Sequence, residues 1–264
     1  MIGKIVNKVL ALLFQWLCAN RLSLNVSKTE FIVFRPPRKT LSERIVLTLN
    51  NTKIFESYKI KYLGLLMDTR LNWKAHIHEL SKKLSQSIGM LYKIRKSCNQ
   101  QVLLSLYHAI FNSHMTFGLP IWGNTTENYL QRIFILQKKA IRAISFSASN
   151  DHNAPIFKNL NILKLKDQYN YQLASLLWDL DHETLPVSLS SYFNKINATH
   201  SHETRQANAN KYKVNRANTR YGLKSFQIQG SIFLNNLKNT DIYNNALSKS
   251  IFLKNYKKSI IDSY

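Results

Sequence analysis

The chain has 264 residues, 45% of them hydrophobic, which is enough to bury the core of one large domain or two small ones. Two cysteines, Cys18 and Cys98, are too few for a disulfide scaffold and indicate a reducing compartment. The formal net charge of +23 favours polyanionic partners, chiefly nucleic acid or an anionic membrane, although a generally soluble basic protein is the simpler alternative.

The N-terminal segment is predicted to be an amphipathic helix over residues 3–20. Its apolar side chains, among them Ile5, Val9 and Leu12, follow helical spacing. The unbroken apolar core, residues 9–14, is much shorter than a membrane span, and no small-residue cleavage site follows it. We expect this helix to pack on a core, without membrane insertion or secretion, in a protein that is intracellular, nuclear or cytoplasmic.

Short β-rich segments follow this helix. The segments are residues 29–34, 45–49, 54–58 and 62–67. Asn50 and Asn51, between the second and the third, tolerate the positive φ angles of a tight hairpin turn. Residues 1–72 are therefore predicted to form a helix with a small antiparallel β part.

Helical periodicity dominates after residue 73. Apolar residues recur every three to four positions, which predicts helices over residues 77–94, 102–111, 130–144 and 167–180. Short connections between them predict a helical bundle. Residues 190–240 are rich in Asn, Ser, Thr and Lys and predict loops and short helices, whereas residues 248–264 predict a basic amphipathic helix. The predicted fold class is α+β, mostly α.

Three sequence blocks near the N-terminus carry a family resemblance. They are WLCANRLSLN at 16–25, SKTEFIVF at 27–34 and KYLGLLMD at 61–68, followed by Leu71, Trp73 and His76. In this order the blocks resemble the end of the palm of a reverse transcriptase from a non-LTR (LINE-type, jockey-like) retrotransposon. The resemblance implies a partial palm at 1–72, a thumb-like helical bundle at 73–150 and an irregular helical, basic C-terminal region at 151–264.

Two candidate sites follow from the resemblance. Lys28 matches the lysine that lies near the phosphates of the incoming nucleotide, where a mobile cation suits phosphoryl charge. Alone, it would be a solvated turn lysine. Tyr62, Leu63 and Gly64 match the primer grip, in which Gly permits a close approach of two backbones. A bulged strand with a core tyrosine is the alternative there.

Basic side chains opposite the apolar helix faces are the predicted nucleic-acid contacts, with an RNA template, a DNA primer or their duplex as partner. Residues 192–226 leave two interpretations open. Their basic and aromatic side chains form either a surface for phosphate pairing and base stacking, or a solvated face with aromatics tucked beneath it. The predicted set is Lys82, Lys83, Lys93, Arg95, Lys96, Lys138, Lys139, Arg142, Arg205, Lys211, Lys213, Arg216 and Arg220.

The sequence predicts no metal site. Polymerases of this family hold two divalent metals on palm aspartates that the resemblance places ahead of Trp16, and Asp68 is the first aspartate of this chain. The acidic run Asp179–Glu183 favours a solvated helix end over a metal site. We expect no cofactor on this chain alone, with Mg²⁺ and dNTPs serving the intact enzyme.

Three functional interpretations remain open at this point. The first is a truncated RNA-directed DNA polymerase that is inactive alone. The second is a non-catalytic RNA- or DNA-binding module, and the third is a decayed gene fragment without independent function. The oligomeric state is left open.

Overall fold

A computed structural model describes residues 2–36, 45–148, 151–198 and 210–264. The chain divides into two compact units, Met1–Glu79 and Leu80–Tyr264. Helices dominate and the strands are short, so the predicted mostly α class is confirmed. The second unit contains the predicted segment 73–150 from residue 80 onward together with the predicted segment 151–264, and their assignment as thumb and C-terminal region stays a prediction.

The first unit combines one long helix with five short strands. Their bounds are α1 Ile2–Ala19, β1 Glu30–Phe31, β2 Leu47–Leu49, β3 Thr52–Glu56, β4 Lys59–Tyr62 and β5 Leu65–Asp68, and the next helix, α2, is Lys74–Ile94. The strands form a three-stranded sheet in the order β1-β3-β2 and a separate β4–β5 hairpin.

The direction of β1 was predicted wrongly. β2 and β3 are antiparallel, but β1 runs parallel to β3, with Glu30 opposite Phe55. A β-rich pattern shows that a segment is extended and says nothing of the direction of its partner. The small β part is therefore mixed rather than purely antiparallel.

The single strand predicted over residues 62–67 was also wrong. Leu63 and Gly64 have φ angles of 44° and 87°, and they form a two-residue turn between β4 and β5. Positive φ at both turn residues matches the right-handed twist of a hairpin, and Gly64 adopts it without strain. The other predicted turn is confirmed, because Asn50 and Asn51 have φ angles of 47° and 57°.

One face of α1 packs on the three-stranded sheet. Val6, Leu10 and Phe14 contact the cluster formed by Leu47, Leu49 and Ile54. Asn7 fastens the helix to the backbone beside β2, because its amide nitrogen donates to the Val46 carbonyl at 3.2 Å and its amide oxygen accepts from Thr48 N at 3.0 Å. The predicted packing on a core is confirmed for this face.

The opposite face of α1 is apolar and exposed. Ile5, Val9, Leu12 and Trp16 are each 57–65% exposed, and no residue of the helix is fully buried. By length and composition alone, α1 could cross a membrane. The expectation that it does not do so stays a prediction.

The second unit is a helical assembly. After α2, its helices are α3 Gln100–Leu106, α4 Ser113–Thr116, α5 Leu119–Trp122, α6 Glu127–Ser145, α7 Asn153–Asn159, α8 Leu165–Asp181, α9 Val187–Ser190, α10 Arg220–Leu223, α11 Phe226–Leu237, α12 Asp241–Asn244 and α13 Lys249–Asp262. A π-helical segment, Tyr107–Asn112, joins α3 to α4. The predicted long helices are present, whereas α7 and α11 were not predicted individually.

A buried glutamine joins three segments of this unit. Gln137 on α6 is fully buried, and its amide nitrogen donates to the Tyr107 hydroxyl at 3.2 Å and to the Leu163 carbonyl at 2.9 Å. Its amide oxygen accepts from Leu165 N, the first residue of α8, at 2.9 Å. Because buried polar groups are costly when unpaired, this side chain fixes where α8 begins against α6.

We expect Gln137→Leu to lower the free energy of unfolding by about 3 kcal/mol, because it leaves three buried polar groups without partners. Urea denaturation measures the change. Gln101→Leu, on the exposed face of α3, is the matched control and is expected to change stability by less than about 0.5 kcal/mol. Equal stability of the two variants would contradict this role for Gln137.

Candidate nucleic-acid interface

Lys28 ends a short 3₁₀ turn just ahead of β1. The Asn25 side chain caps that turn by accepting from Lys28 N at 3.2 Å. The lysine side chain is exposed to solvent. This geometry leaves the ammonium accessible, and the phosphate-side role implied by the resemblance stays a prediction.

The Tyr62–Leu63–Gly64 segment is the tip of the β4–β5 hairpin. Tyr62 is 61% and Leu63 77% exposed. The alternative of a bulged strand with a core tyrosine is therefore wrong, because this tyrosine lies on the surface. Lys28 precedes the first strand of the three-stranded sheet, whereas the hairpin tip belongs to the separate β4–β5 sheet.

Asp68, the first aspartate of the chain, has a structural role. Its carboxylate accepts hydrogen bonds from the backbone N–H groups of Arg70 at 3.0 Å, Asn72 at 3.4 Å and Trp73 at 3.1 Å. These bonds order the turn that leads into α2. The carboxylate is already bonded to backbone donors, which argues against a role in holding an ion.

The structure brings two of the predicted basic groups together. The Arg95 guanidinium, just after α2, lies 5.0 Å from the ring centre of Phe146, the residue that ends α6. This contact places the end of α2 beside the end of α6, and each helix carries a predicted set of cations in its last two turns or just after them. The two sets are Lys93, Arg95 and Lys96 from α2 and the residues after it, and Lys138, Lys139 and Arg142 from α6.

Within this region the basic side chains differ in how they are held. Arg142 donates to the Asp151 carbonyl at 3.2 Å, and the Lys138 ammonium lies 4.9 Å from the ring centre of Phe134. Lys93, Lys96 and Lys139 are exposed and form no ion pair within the described ranges. Cations also suit the negative end of a helix dipole, which gives Lys93 and Arg142 a structural reason for their positions.

Lys82 and Lys83 lie farther back on α2, and both are exposed. Lys82 and Lys93 are eleven residues apart, close to three helical turns, so they share one face. Their separation along the helix axis is roughly 16 Å. This shared face runs along α2 to the basic residues at the C-terminal end of the helix.

The burial of the aromatic residues in 192–226 decides, for some of them, between a base-stacking surface and a solvated face with aromatics beneath it. Phe193 is 7% and Tyr212 3% exposed, and both belong to a core cluster with Leu177, Trp178 and Leu234. Phe226 packs against the same cluster. These three rings therefore lie beneath the surface and are not available for base stacking. Tyr192 remains exposed.

The basic residues around Tyr212 are less uniform than the sequence suggested. Lys213 and Arg216 are exposed, and Lys211 is half-buried. Arg220 is the first residue of α10, and Arg205 lies outside the described residues. Of the five basic residues predicted here, the structure describes the side chains of Lys211, Lys213 and Arg216 only, so the role predicted for this region stays a prediction.

Asp181 is the centre of a polar network that the sequence did not predict. Its carboxylate pairs with the Lys238 ammonium at 2.7 Å and accepts from the Tyr212 and Tyr243 hydroxyls at 3.1 and 2.7 Å. Burial alone would raise its pKa, but the hydrogen bonds from Lys238 and the two tyrosines outweigh burial and hold the pKa below its usual value.

The acidic run at the end of α8 is a solvated helix end only in part, because the side chains of Asp179 and Asp181 are largely shielded whereas that of Glu183 is 83% exposed. Asp179 pairs with Lys249, Asp181 is enclosed by its three partners, and Glu183 lies 3.6 Å from Lys195. Among the residues described, no group of three His, Cys, Asp or Glu side chains is arranged to hold a metal ion. The tyrosines and lysines that follow in the sequence, whose hydroxyl and ammonium groups bond these carboxylates, are the signal that could have indicated such a network.

Comparison with characterised proteins supports the resemblance. The chain is 23% identical over 159 residues to the probable RNA-directed DNA polymerase from transposon X-element of Drosophila melanogaster, which covers 59% of this chain and 17% of that protein. It is 26% identical over 125 residues to the RNA-directed DNA polymerase from mobile element jockey of the same species, covering 46% of this chain and 14% of that protein.

A third relative is the retrovirus-related Pol polyprotein from type-1 retrotransposable element R1 of Bradysia coprophila, 24% identical over 138 residues, which are 51% of this chain and 13% of that protein. No protein-family model matches the chain. No solved structure matches it. The matched part thus spans about half of this chain and under a fifth of each relative, and the resemblance to non-LTR retrotransposon polymerases is confirmed.

We expect Asp181→Asn to lower the free energy of unfolding at pH 7 by about 1–3 kcal/mol, because it removes a charged acceptor from three donors. A depressed pKa stabilises the fold above the unfolded-state value near pH 4, and this contribution is lost as the pH falls through the folded-state pKa.

The difference between the wild-type chain and Asp181→Asn should therefore shrink in acid, as followed by denaturation at several pH values. Asp241→Asn, at an exposed site, is the control and is expected to stay within about 0.5 kcal/mol of wild type throughout. A gap that persists unchanged down to pH 2 would speak against this role of the carboxylate.

Proposed function

We propose that this chain supplies nucleic-acid contacts of an RNA-directed DNA polymerase of the non-LTR retrotransposon type. The observation that carries the proposal is the meeting of two basic helix ends, α2 and α6, through Arg95 and Phe146. The similarity to polymerases of such elements supports the same conclusion. An RNA template, a DNA primer or the duplex between them is the proposed partner.

The physical basis is phosphate contact. Exposed lysines such as Lys93, Lys96 and Lys139 can pair with phosphates in place of the cations condensed on the nucleic acid. The release of those cations favours binding. The net charge of +23 adds a long-range field that speeds the encounter with a polyanion. These terms carry little sequence preference, so we expect broad binding rather than recognition of one site.

The same proposal assigns no polymerase chemistry to these 264 residues. Nucleotide addition needs carboxylates that bridge two metal ions. The carboxylates described above are already bonded: Asp68 to backbone, Asp181 to lysine and tyrosines, Asp179 to Lys249. Mg²⁺ and dNTPs are assigned to the complete enzyme.

A non-catalytic nucleic-acid-binding module is the second candidate. The second unit favours it, because it has a buried hydrophobic cluster of its own and the fully buried Gln137 is bonded to several partners. A decayed fragment without a stable fold would not be expected to form such bonds. Binding without catalysis is the outcome common to both candidates.

Lys93→Ala with Lys139→Ala should make binding of a DNA or RNA duplex less dependent on salt. If both side chains contact phosphates, the slope of log affinity against log salt should become shallower by about 1.8 on duplex DNA. Fluorescence anisotropy across a salt series measures the slope. Lys254→Ala with Lys258→Ala, on exposed positions of α13, removes the same charge and is the control.

An equal change of slope in both double variants would place the contacts elsewhere. Absence of binding at low salt would contradict the proposed function itself. A circular-dichroism melt of each variant separates lost contacts from lost folding.

The purified chain should incorporate no labelled dNTP on an RNA template with a DNA primer in the presence of Mg²⁺, because it lacks the paired carboxylates. Template-dependent extension of the primer would contradict that assignment. A reverse transcriptase added to a parallel reaction controls for the quality of template and primer.

A further inference from the structure

A groove of about 540 Å³ opens between the first turns of α6 and α8. It lies entirely within the second unit, and a residue of α11, Gln229, completes its wall. Its volume is within the range of ~300–1,000 Å³ that ligand pockets occupy. No role was assigned to it by the sequence.

The inner wall of the groove is apolar and tightly packed. Tyr169 of α8 lies so close to Gly123 that a Cβ atom on that residue would stand 2.5 Å from the tyrosine ring. Leu119, Leu130 and Phe134 extend the same wall. Glycine at position 123 therefore allows the close approach of Tyr169 to the end of α5, and the wall offers apolar side chains against which a planar ring could pack.

Polar side chains surround this apolar wall, among them four amides and the carboxylates of Glu127 and Asp167. Asn124, Gln131, Asn170 and Gln229 all line the groove. Asn124 and Gln229 use their amide nitrogens on the Lys224 and Leu223 carbonyls, at 3.0 and 2.7 Å, which leaves their amide oxygens as acceptors. Side-chain amides carry a donor and an acceptor side by side, the pattern that matches the edge of a nucleobase.

A row of rings begins at Phe134 in the wall of the groove and passes through the fully buried Phe157. The Phe134 ring stacks on Phe157 at 6.1 Å between ring centres, and Phe157 meets Tyr264 edge-on at 6.2 Å. The Lys138 ammonium lies over Phe134, and the Lys164 ammonium lies 3.6 Å from the Tyr264 ring centre. Cations thus stand at both ends of the row.

Helical periodicity places the groove and the basic residues on one face of α6. Gln131, Lys138 and Arg142 are separated by seven and four residues, which keeps them on one face. The distance from Gln131 to Lys138 along the axis is roughly 10 Å. A strand whose phosphates follow Lys138 and Arg142 would therefore reach the groove at its next nucleotides.

We propose that this groove receives an unpaired base of a single-stranded stretch of nucleic acid, whose backbone follows the basic face of α6. The inference rests on the proposed nucleic-acid binding and adds to it a defined base site. The apolar wall stacks the base, the amides contact its edge, and Lys138 with Arg142 pairs with the adjoining phosphates. An exposed, extrahelical base suits this site because duplex bases are already stacked and paired.

The test compares a short oligoadenylate RNA, its DNA counterpart and an abasic oligomer of the same length, each labelled for fluorescence anisotropy. Gln131→Ala and Asn170→Ala each remove one amide from the groove. We expect each variant to bind the base-bearing strands about fivefold to tenfold more weakly and the abasic strand as before. Gln101→Ala, on exposed α3, should leave all three affinities unchanged.

The outcomes distinguish this inference from the proposed function. Equal affinity of the wild-type chain for base-bearing and abasic strands, or unchanged binding by both groove variants, would overturn the base site while leaving phosphate binding intact. Failure of every strand to bind would overturn the proposed function and the base site with it. Equal loss for RNA and DNA identifies the base as the shared recognition element, whereas loss for RNA alone adds the 2′-hydroxyl to it.

Discussion

The buried amide of Gln137 is the constraint on which the second unit depends. Its hydrogen bonds to Tyr107, Leu163 and Leu165 join the π-helical segment, α6 and the start of α8 at one point. Because an amide has separate donor and acceptor ends, only one relative placement of these segments satisfies it. That placement sets the groove beside Phe134 and leaves the next turn of α6, which carries Lys138 and Lys139, facing outward. A single polar core residue thus fixes both the packing of α8 against α6 and the orientation of the charged surface of α6.

Several acids of this fold are partners of other groups of the chain. Asp181 and Asp179 each hold a lysine from another segment, and Asp68 holds backbone. These interactions remove negative charge from the surface, while cations such as Lys93 and Lys139 stay exposed. The basic field is therefore a consequence of where the few carboxylates are placed as well as of the large number of lysines.

The sequence predicted what periodicity can report and missed what depends on tertiary partners. Apolar spacing located α1, α2, α6 and α8, because a helix buries one face whatever it packs on. Spacing could not give the direction of β1, which is set by the edge that the β2–β3 hairpin offers. Nor could composition show that Tyr212 serves Asp181 instead of a base, since both roles need an aromatic among cations. The groove was invisible because its lining comes from separate segments of the second unit.

The two units differ in how completely they bury their own apolar surface. In the second, large aromatic side chains such as Trp122, Phe157 and Phe252 are fully buried. In the first, α1 contributes no fully buried residue and keeps one apolar face in contact with solvent. Since burial is the main source of folding free energy, the second unit has the stronger basis for independent stability. The joined ends of α2 and α6, together with the groove, lie in that unit, so nucleic-acid binding there should survive changes to the hairpin tip at Tyr62 or to Lys28.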